Sequence, residues 1–421
     1  MAGTRPRVPA TVCPGPDRLS LVDLDTVARL RTVEGRQALA MAQELVGVSD
    51  PLTAATALRS AGFDAGLATA ALTQASLRRR AAAKFGDDAA RMLFTPAGLE
   101  QATRSVVATR RAARLTAAGV ARIADLGCGV GADTIAFARA GMTVTAVDAD
   151  PVTAAVVAAN VEALGLAGHA SVHAGEATTM ELAGVDAVFC DPARRDTAKG
   201  RRIFDPDAYS PPWSFVAALA DRVPATVLKL APGIDHALIP PDAEAEWVSV
   251  GGTVVEATIW HGPLATTPRR ATVLGTDGET SLTGSGMLVA PTGPLRRYLY
   301  DPDGAVVRAH LVAEFASTVD GNLLDTRIAY VTSDVAAATR FGTCLEVVAT
   351  LPYGVKHLRA AMRTHDVGAL EIRKRGLELD PDHLRRELRL RGHASASLVL
   401  TRIGTRPVAY LCRRPARAHA G

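Results

Sequence analysis

The spacing of apolar positions changes character near residue 120. From Leu19 to Leu115 apolar residues recur with the helical period, on one face of successive helices. Ser49-Asp50-Pro51 sets cap residues before a first-turn proline and marks a helix start. Gly62 and Gly66 interrupt the pattern and Leu67 to Ala83 resumes it. Thr95-Pro96 then opens a long helix through Leu99, Ala102, Val106 and Ala113. From Ala121 short apolar runs alternate with helical stretches, which predicts a doubly wound, mostly parallel α/β sheet. Its strand candidates are Arg122–Leu126, Thr143–Val147, Ala170–His173, Asp186–Cys190 and Thr226–Leu230, with a helix at Pro151–Leu164. Glu246–Val250, Val254–Trp260 and Arg270–Leu274 follow as strand-like segments joined by Gly251-Gly252 and Pro/Thr turns. Residues 275–340 are less regular, apart from an amphipathic helix from Ala305 to Phe315. The end is well patterned: strand Gly368–Lys374, helix Pro381–Leu390 behind Asp380, and strands Ser397–Ile403 and Val408–Arg413. The expected division is a disordered tail at 1–18, a helical domain at 19–115 and an α/β domain at 116–277. A connecting layer at 278–345 and a small α+β domain at 346–421 complete it.

Composition narrows the class. A chain of 421 residues exceeds what one core usually supports, so two or three domains are expected. Apolar residues are 48% and charged residues 21%, ordinary for a globular chain, and aromatics at 4% leave the cores to aliphatic side chains. No apolar run reaches the ~18 residues of a membrane span. The first sixteen residues lack the apolar core of a signal peptide. The five cysteines are scattered and never form a Cys-x-x-Cys pair, which points to a reducing cytoplasm and away from a zinc site.

Charge is uneven. Residues 351–421 carry fifteen Lys and Arg against six Asp and Glu, or +9, whereas the preceding 350 residues sum to −5. A basic module on a mildly acidic body is the footprint of a polyanion partner, or of a solvated surface. A second basic cluster comprises Arg78, Arg79, Arg80, Lys84, Arg104, Arg110, Arg111 and Arg114. It reads as a solvated helix face or as a cradle for RNA.

The chemistry concentrates at the carboxyl ends of the predicted strands. Asp125-Leu-Gly127-Cys128-Gly129-Val-Gly131 joins the first strand to a helix, and its glycines let backbone amides approach a ligand beside a helix N-terminus. Asp148, followed by Ala149, ends the next strand where a ribose-binding acid belongs. This spacing suits both the dinucleotide-binding fold and the class I S-adenosylmethionine methyltransferases. The acid at Asp125 favours the second, since a carboxylate there repels a pyrophosphate but accepts a hydrogen bond from a methionine ammonium. Glu176, after the third strand, is the candidate for the adenine edge.

Cys190-Asp191-Pro192-Ala193-Arg194 ends the fourth strand. Nucleic-acid methyltransferases carry Asn/Asp-Pro-Pro-aromatic there, gripping an exocyclic amine on a flipped base. Ala193 and Arg194 depart from that pattern. Arg194, Arg195, Lys199, Arg201 and Arg202 suit phosphate anchoring, and Cys190 reads as a core residue. Lys229, near the end of the fifth strand, can bind phosphate or pair with Asp191. The catalytic candidates are therefore Asp191, Pro192, Arg194 and Lys229. The cofactor candidates are Asp125, Gly127, Cys128, Gly129, Gly131, Asp148, Ala149, Glu176 and Asp191. No metal-ligand spacing appears.

With these stretches the chain resembles the bacterial, especially actinobacterial, class I methyltransferases with a C-terminal THUMP-like domain. The matching residues are Lys84-Phe85 with Phe94–Thr103, Asp125–Gly131, Cys190–Arg195, Lys229–Gly233, Tyr300-Asp-Pro-Asp and Leu370–Gly376. The resemblance implies a Rossmann-like sheet of seven strands with an antiparallel pair closing its edge, S-adenosylmethionine as cofactor and RNA as the methylated partner, held by the basic C-terminal domain. A methyltransferase fold that binds RNA without turnover, and methylation of a small molecule, stay open as alternatives.

Overall fold

The computed structural model describes residues 22–194 and 209–415, and the chain falls into two compact units, 1–186 and 187–421. In the first unit six helices lead: α1 Leu24–Arg31, α2 Val33–Leu45, α3 Pro51–Ser60, α4 Ala65–Phe85, α5 Pro96–Gln101 and α6 Ser105–Ala117. Side-chain caps fix their starts. Asp50 accepts from the Leu52 and Thr53 amides, Asp64 from those of Gly66 and Leu67, and Thr95 from that of Gly98. The single helix expected from Thr95 is two. Lys84 Nζ donates to the carbonyls of Leu99, Glu100 and Ala102, closing α5 as a C-terminal cation does, and Thr103 turns inward.

Strand β1 (Arg122–Leu126), helix α7 (Ala132–Arg139), β2 (Thr143–Asp148), α8 (Pro151–Ala163) and β3 (Ala170–Ala174) follow. β2 pairs in parallel with both β1 and β3. The leading helices share their core with this part. Leu30, Leu39 and Leu93 pack with Val156 and Ala159 of α8, while Phe85, Phe94 and Leu99 pack with Val130 and Ile135. A helical domain ending at residue 115 therefore has no core boundary at that point.

The second unit opens with β4 (Ala187–Cys190). A short antiparallel pair, β5 (Ala193–Arg194) and β6 (Tyr209–Ser210), precedes α9 (Trp213–Ala217), α10 (Leu219–Arg222) and β7 (Thr226–Leu230). Strands β8 (Glu244–Val250), β9 (Thr253–Trp260), β10 (Arg269–Gly275) and β11 (Gly278–Gly284) follow, in the order β4-β7-β9-β8-β10-β11. The expected antiparallel pair is β8 with β9. Together with β1–β3 these strands number nine among the described residues, against the seven of the resemblance: β10, read from the pattern as Arg270–Leu274, pairs in parallel with β8, and β11 turns back on β10. The α/β part thus runs to Gly284, past the expected limit at 277.

The stretch expected to connect the domains supplies strands to the final sheet. Strands β12 (Tyr298–Pro302), β13 (Asn322–Asp325) and β14 (Ile328–Ser333) join β15 (Gly342–Leu351), β16 (Val367–Lys374), β17 (Ala394–Ile403) and β18 (Arg406–Arg413). The order is β13-β14-β12-β15-β18-β17-β16. Helices α11 (Gly304–Arg308), α12 (Val312–Thr318), α13 (Val355–Thr364) and α14 (Pro381–Leu388) complete this part. The one helix expected over Ala305–Phe315 is split into α11 and α12, because His310 between them takes a left-handed conformation at φ 59. Arg389, at φ 49, likewise ends α14 before Leu390. Asp301 receives Arg373 at 2.7 Å and Arg375 at 2.8 Å, so two of the matching motifs meet across a sheet that curls.

Candidate cofactor and acceptor sites

In the first unit β1 carries Asp125 to the base of the glycine turn. Its side chain is fully buried and accepts a hydrogen bond from Thr134 Oγ1, in the first turn of α7. Sequence reasoning gave this carboxylate to a ligand ammonium; in the structure its Oδ2 takes the Thr134 hydroxyl, tying strand to helix. The loop amides also turn inward. Gly127 and Cys128 donate to the Val147 carbonyl, Gly129 donates to Asp148 Oδ2 at 3.0 Å, and Gly131 to the Cys128 carbonyl. Asp148 Oδ1 accepts the Asp150 amide, so the acid at the end of β2 also shapes the turn. Burial raises its pKa above the usual carboxylate value. Burial, reinforced by the carboxylates of Asp125 and Asp148, pushes the Cys128 thiol up. The thiol stays protonated.

Gly127, Gly129 and Gly131 have φ of 87, 56 and 87, a region costly for other residues. Two of them differ in surroundings. A Cβ at Gly131 would lie 2.9 Å from Val157 Cγ1, whereas one at Gly129 would meet no atom within 4 Å. Protein packs against the loop at Gly131 and leaves an open cradle over Gly129. Half-buried Asp148 borders it, and exposed Ala149 follows. Gly175 donates to the Asp148 carbonyl, placing the turn that carries exposed Glu176 beside the end of β2. An open cradle next to a carboxylate fits a ligand with a sugar hydroxyl pair.

Several residues that hold this loop were not legible as functional. Asn160 of α8 donates to the carbonyls of Val130 and Leu93, at 3.0 Å each, and accepts the Leu93 amide. Gly98 of α5 faces Val130 so closely that a Cβ there would lie 2.5 Å from Val130 Cγ1. Asp133 of α7 takes the Thr103 hydroxyl on one oxygen and the Arg111 guanidinium on the other, all buried. An amide inside an apolar helix and an acid beside a glycine turn were the available signals. Arg111→Met leaves the Asp133 carboxylate without this buried cation, and is expected to cost about 3–5 kcal/mol in urea unfolding. A loss below about 1 kcal/mol would contradict the buried pairing.

The basic cluster of the helical region is therefore partly internal. Arg111 serves Asp133 and Lys84 closes α5. Arg78 donates to the Met92 carbonyl and to Gln43, and burial lowers its pKa to about 10. Arg78 and Arg111 are buried, and half-buried Lys84 has its ammonium on three carbonyls.

In the second unit Cys190 is fully buried in β4, a core residue, and Asp191 follows it at the strand's end. β7 pairs in parallel with β4, Cys190 opposite Leu228, which sets Lys229 beside Asp191. Lys229 Nζ donates to Asp191 Oδ2; the lysine side chain is 12% exposed and the aspartate 33%. Pro192 is buried. The backbone of Arg194 pairs with Tyr209 in β5 and β6. The Arg194 side chain, and Arg195, Lys199, Arg201 and Arg202, lie outside the described residues. In the basic C-terminal part Arg373 and Arg375 are engaged by Asp301 and Arg359 by the Glu387 carbonyl. Lys356, Arg363, Arg386, Arg389 and Arg391 are exposed. Among the described residues no group of three or more His, Cys, Asp or Glu gathers to hold a metal, and no helix is long and apolar enough to cross a membrane.

Comparison with known proteins agrees with this layout. Residues 123–198 match a family model described as a methyltransferase domain and 342–414 one described as THUMP domain-like; 23–81 match a domain of unknown function. Two strains of Mycobacterium tuberculosis, CDC 1551 and H37Rv, each hold an uncharacterized S-adenosylmethionine-dependent methyltransferase that is 36% identical over 357 residues. The match spans 80% of this chain and 94% of theirs. A crystal structure of a protein from Porphyromonas gingivalis W83, described as a methyltransferase, superposes with a TM-score of 0.70 at 20% identity. It covers 90% of this chain and 99% of that one, and shows the same fold. The chain belongs to the S-adenosylmethionine-dependent methyltransferase family of these mycobacterial proteins, with a THUMP-like domain at its C-terminal end.

Proposed function

We propose that this methyltransferase modifies a nucleobase of RNA in the cytoplasm. The observation that carries the reading is the Asp191–Lys229 pair at the carboxyl ends of β4 and β7, in a unit that also bears the exposed cations of the THUMP-like domain. Gly129 gives the cofactor room, Asp148 accepts from its ribose and Glu176 stands toward its adenine. Asp125 acts from beneath by fixing the loop to α7. S-adenosylmethionine supplies an already activated methyl group, so the protein's task is largely positioning. Asp191 orients the acceptor amine and takes its proton, Lys229 holds Asp191 in place, and Pro192 shapes the strand end that receives the base. Lys356, Arg363, Arg386, Arg389 and Arg391 give the RNA backbone a sequence-independent grip.

Mass spectrometry of nucleosides from a strain lacking the gene tests the reading. One methylated nucleoside missing from RNA, and restored by the wild-type gene, is expected. An unchanged nucleoside profile, with methyl transfer to a small metabolite instead, would overturn the RNA assignment.

A further inference from the structure

Three aromatic side chains of the second unit form a column outside the sites above. Trp247, on β8, is fully buried. The His236 ring lies on it at 4.9 Å and 15°, and the His310 ring lies on His236 at 3.9 Å and 8°. The column thus runs from the core to an exposed imidazole. Its base is pinned. Both Trp247 Nε1 and Arg308 Nη1 donate to the Pro232 carbonyl, at 3.0 and 3.1 Å. At its top, the left-handed turn between α11 and α12 presents His310, a conformation that costs an L residue free energy. Burial first, then the neighbouring His310 and Arg269, lower the pKa of His236, against smaller opposing effects of a hydrogen bond to the Arg308 backbone and of Asp235. A neutral His236 lets the two imidazoles stack without charge repulsion.

The surroundings of the column suit a nucleic acid. Exposed Arg308 and half-buried Arg269 flank it. The chain passes beside it at Gly286, where a Cβ would lie 2.9 Å from Arg269 Cγ and 3.3 Å from the Ala309 carbonyl. From there the next three residues, Met287, Leu288 and Val289, stand 84%, 62% and 85% exposed. Flat ring, cations and bare apolar side chains together are what a single strand needs: a stacking face, phosphate partners and a surface for base edges. The position is also apt. His236 sits on the loop that leaves the carboxyl end of β7, a few residues beyond Lys229, on the sheet edge where open α/β folds receive ligands.

We propose that His310, backed by His236 and Trp247, is a stacking platform for an unpaired base of a single-stranded RNA segment, with Arg308 and Arg269 on its phosphates. This deepens the RNA reading and rests on it. The platform holds the strand next to the methylated base, while the THUMP-like domain grips the RNA elsewhere.

The test is binding of a fluorescein-labelled, unstructured oligoribonucleotide to the full chain, by anisotropy at several salt concentrations. His310→Asn keeps a residue that tolerates the left-handed conformation but removes the ring. It is expected to weaken binding roughly tenfold, about the loss of one stacked base, and His310→Tyr to restore it. Arg308→Ala is expected to lower the slope of log K against log salt by about one contact. Binding of S-adenosylhomocysteine should be the same in all of them, which shows them folded. Wild-type affinity in His310→Asn, with the RNA bound by wild type, would overturn the platform and leave the RNA reading standing. Absence of RNA binding by the wild-type chain would overturn both.

Discussion

Gly129→Arg is expected to abolish S-adenosylmethionine binding and leave the fold in place. The reason lies in the difference between two glycines of one loop. At Gly129 a new Cβ meets nothing within 4 Å, so the side chain grows into the open cradle beside Asp148. The substitution pays only for a left-handed conformation, φ 56, on the order of 1–2 kcal/mol. In a protein of this size that lowers Tm by a few degrees. Titration calorimetry should then show no heat at millimolar ligand. Gly131→Ala is expected to behave in the opposite way. Its Cβ would lie 2.9 Å from Val157 Cγ1, in packed core, so stability falls by about 1–3 kcal/mol beyond the backbone strain. Cofactor affinity is then lost only as far as the loop shifts. Ligand binding by Gly129→Arg with wild-type affinity would place the cofactor elsewhere.

Asp191→Ala is expected to keep cofactor binding and lose turnover by about 10²–10⁴, the usual contribution of a positioned proton acceptor. The pair with Lys229 is largely shielded, so the variant removes both the acceptor contact and the carboxylate that fixes the lysine. Lys229→Ala should lose less, because Asp191 remains to meet the acceptor. The assay is single-turnover methyl transfer to RNA from the deletion strain, with S-adenosylhomocysteine affinity measured in parallel. Full activity of Asp191→Ala would remove this carboxylate from the chemistry. Equal loss of binding and turnover would make it part of the cofactor site instead.

The glycine turn and the strands around it were legible because short apolar runs and φ-demanding glycines leave a direct mark on sequence. Thr226–Leu230 was read residue for residue, and β1, β2 and β4 to within a residue. The Asp191–Lys229 pair followed from two strand ends expected side by side. What sequence concealed was direction. Arg78 carries a charge that composition assigns to water, yet it is spent on the Met92 carbonyl and Gln43, and one oxygen of Asp125 takes the Thr134 hydroxyl. Asn160 carries no sequence motif; only the fold shows that it joins Leu93 to the glycine loop. Strand β12 escaped because its partners lie far along the chain, as Leu299 with Leu345 does. The stacked rings of Trp247, His236 and His310 come from three separate segments and leave no local pattern.

The account stands on the cofactor lying across Gly129 with its sugar at Asp148. A crystal structure of the protein with S-adenosylhomocysteine tests this most directly. The expected electron density places the ribose hydroxyls against the Asp148 carboxylate and the amino acid moiety over the glycine turn. Density for the ligand at any other place, with the space over Gly129 empty, would contradict it.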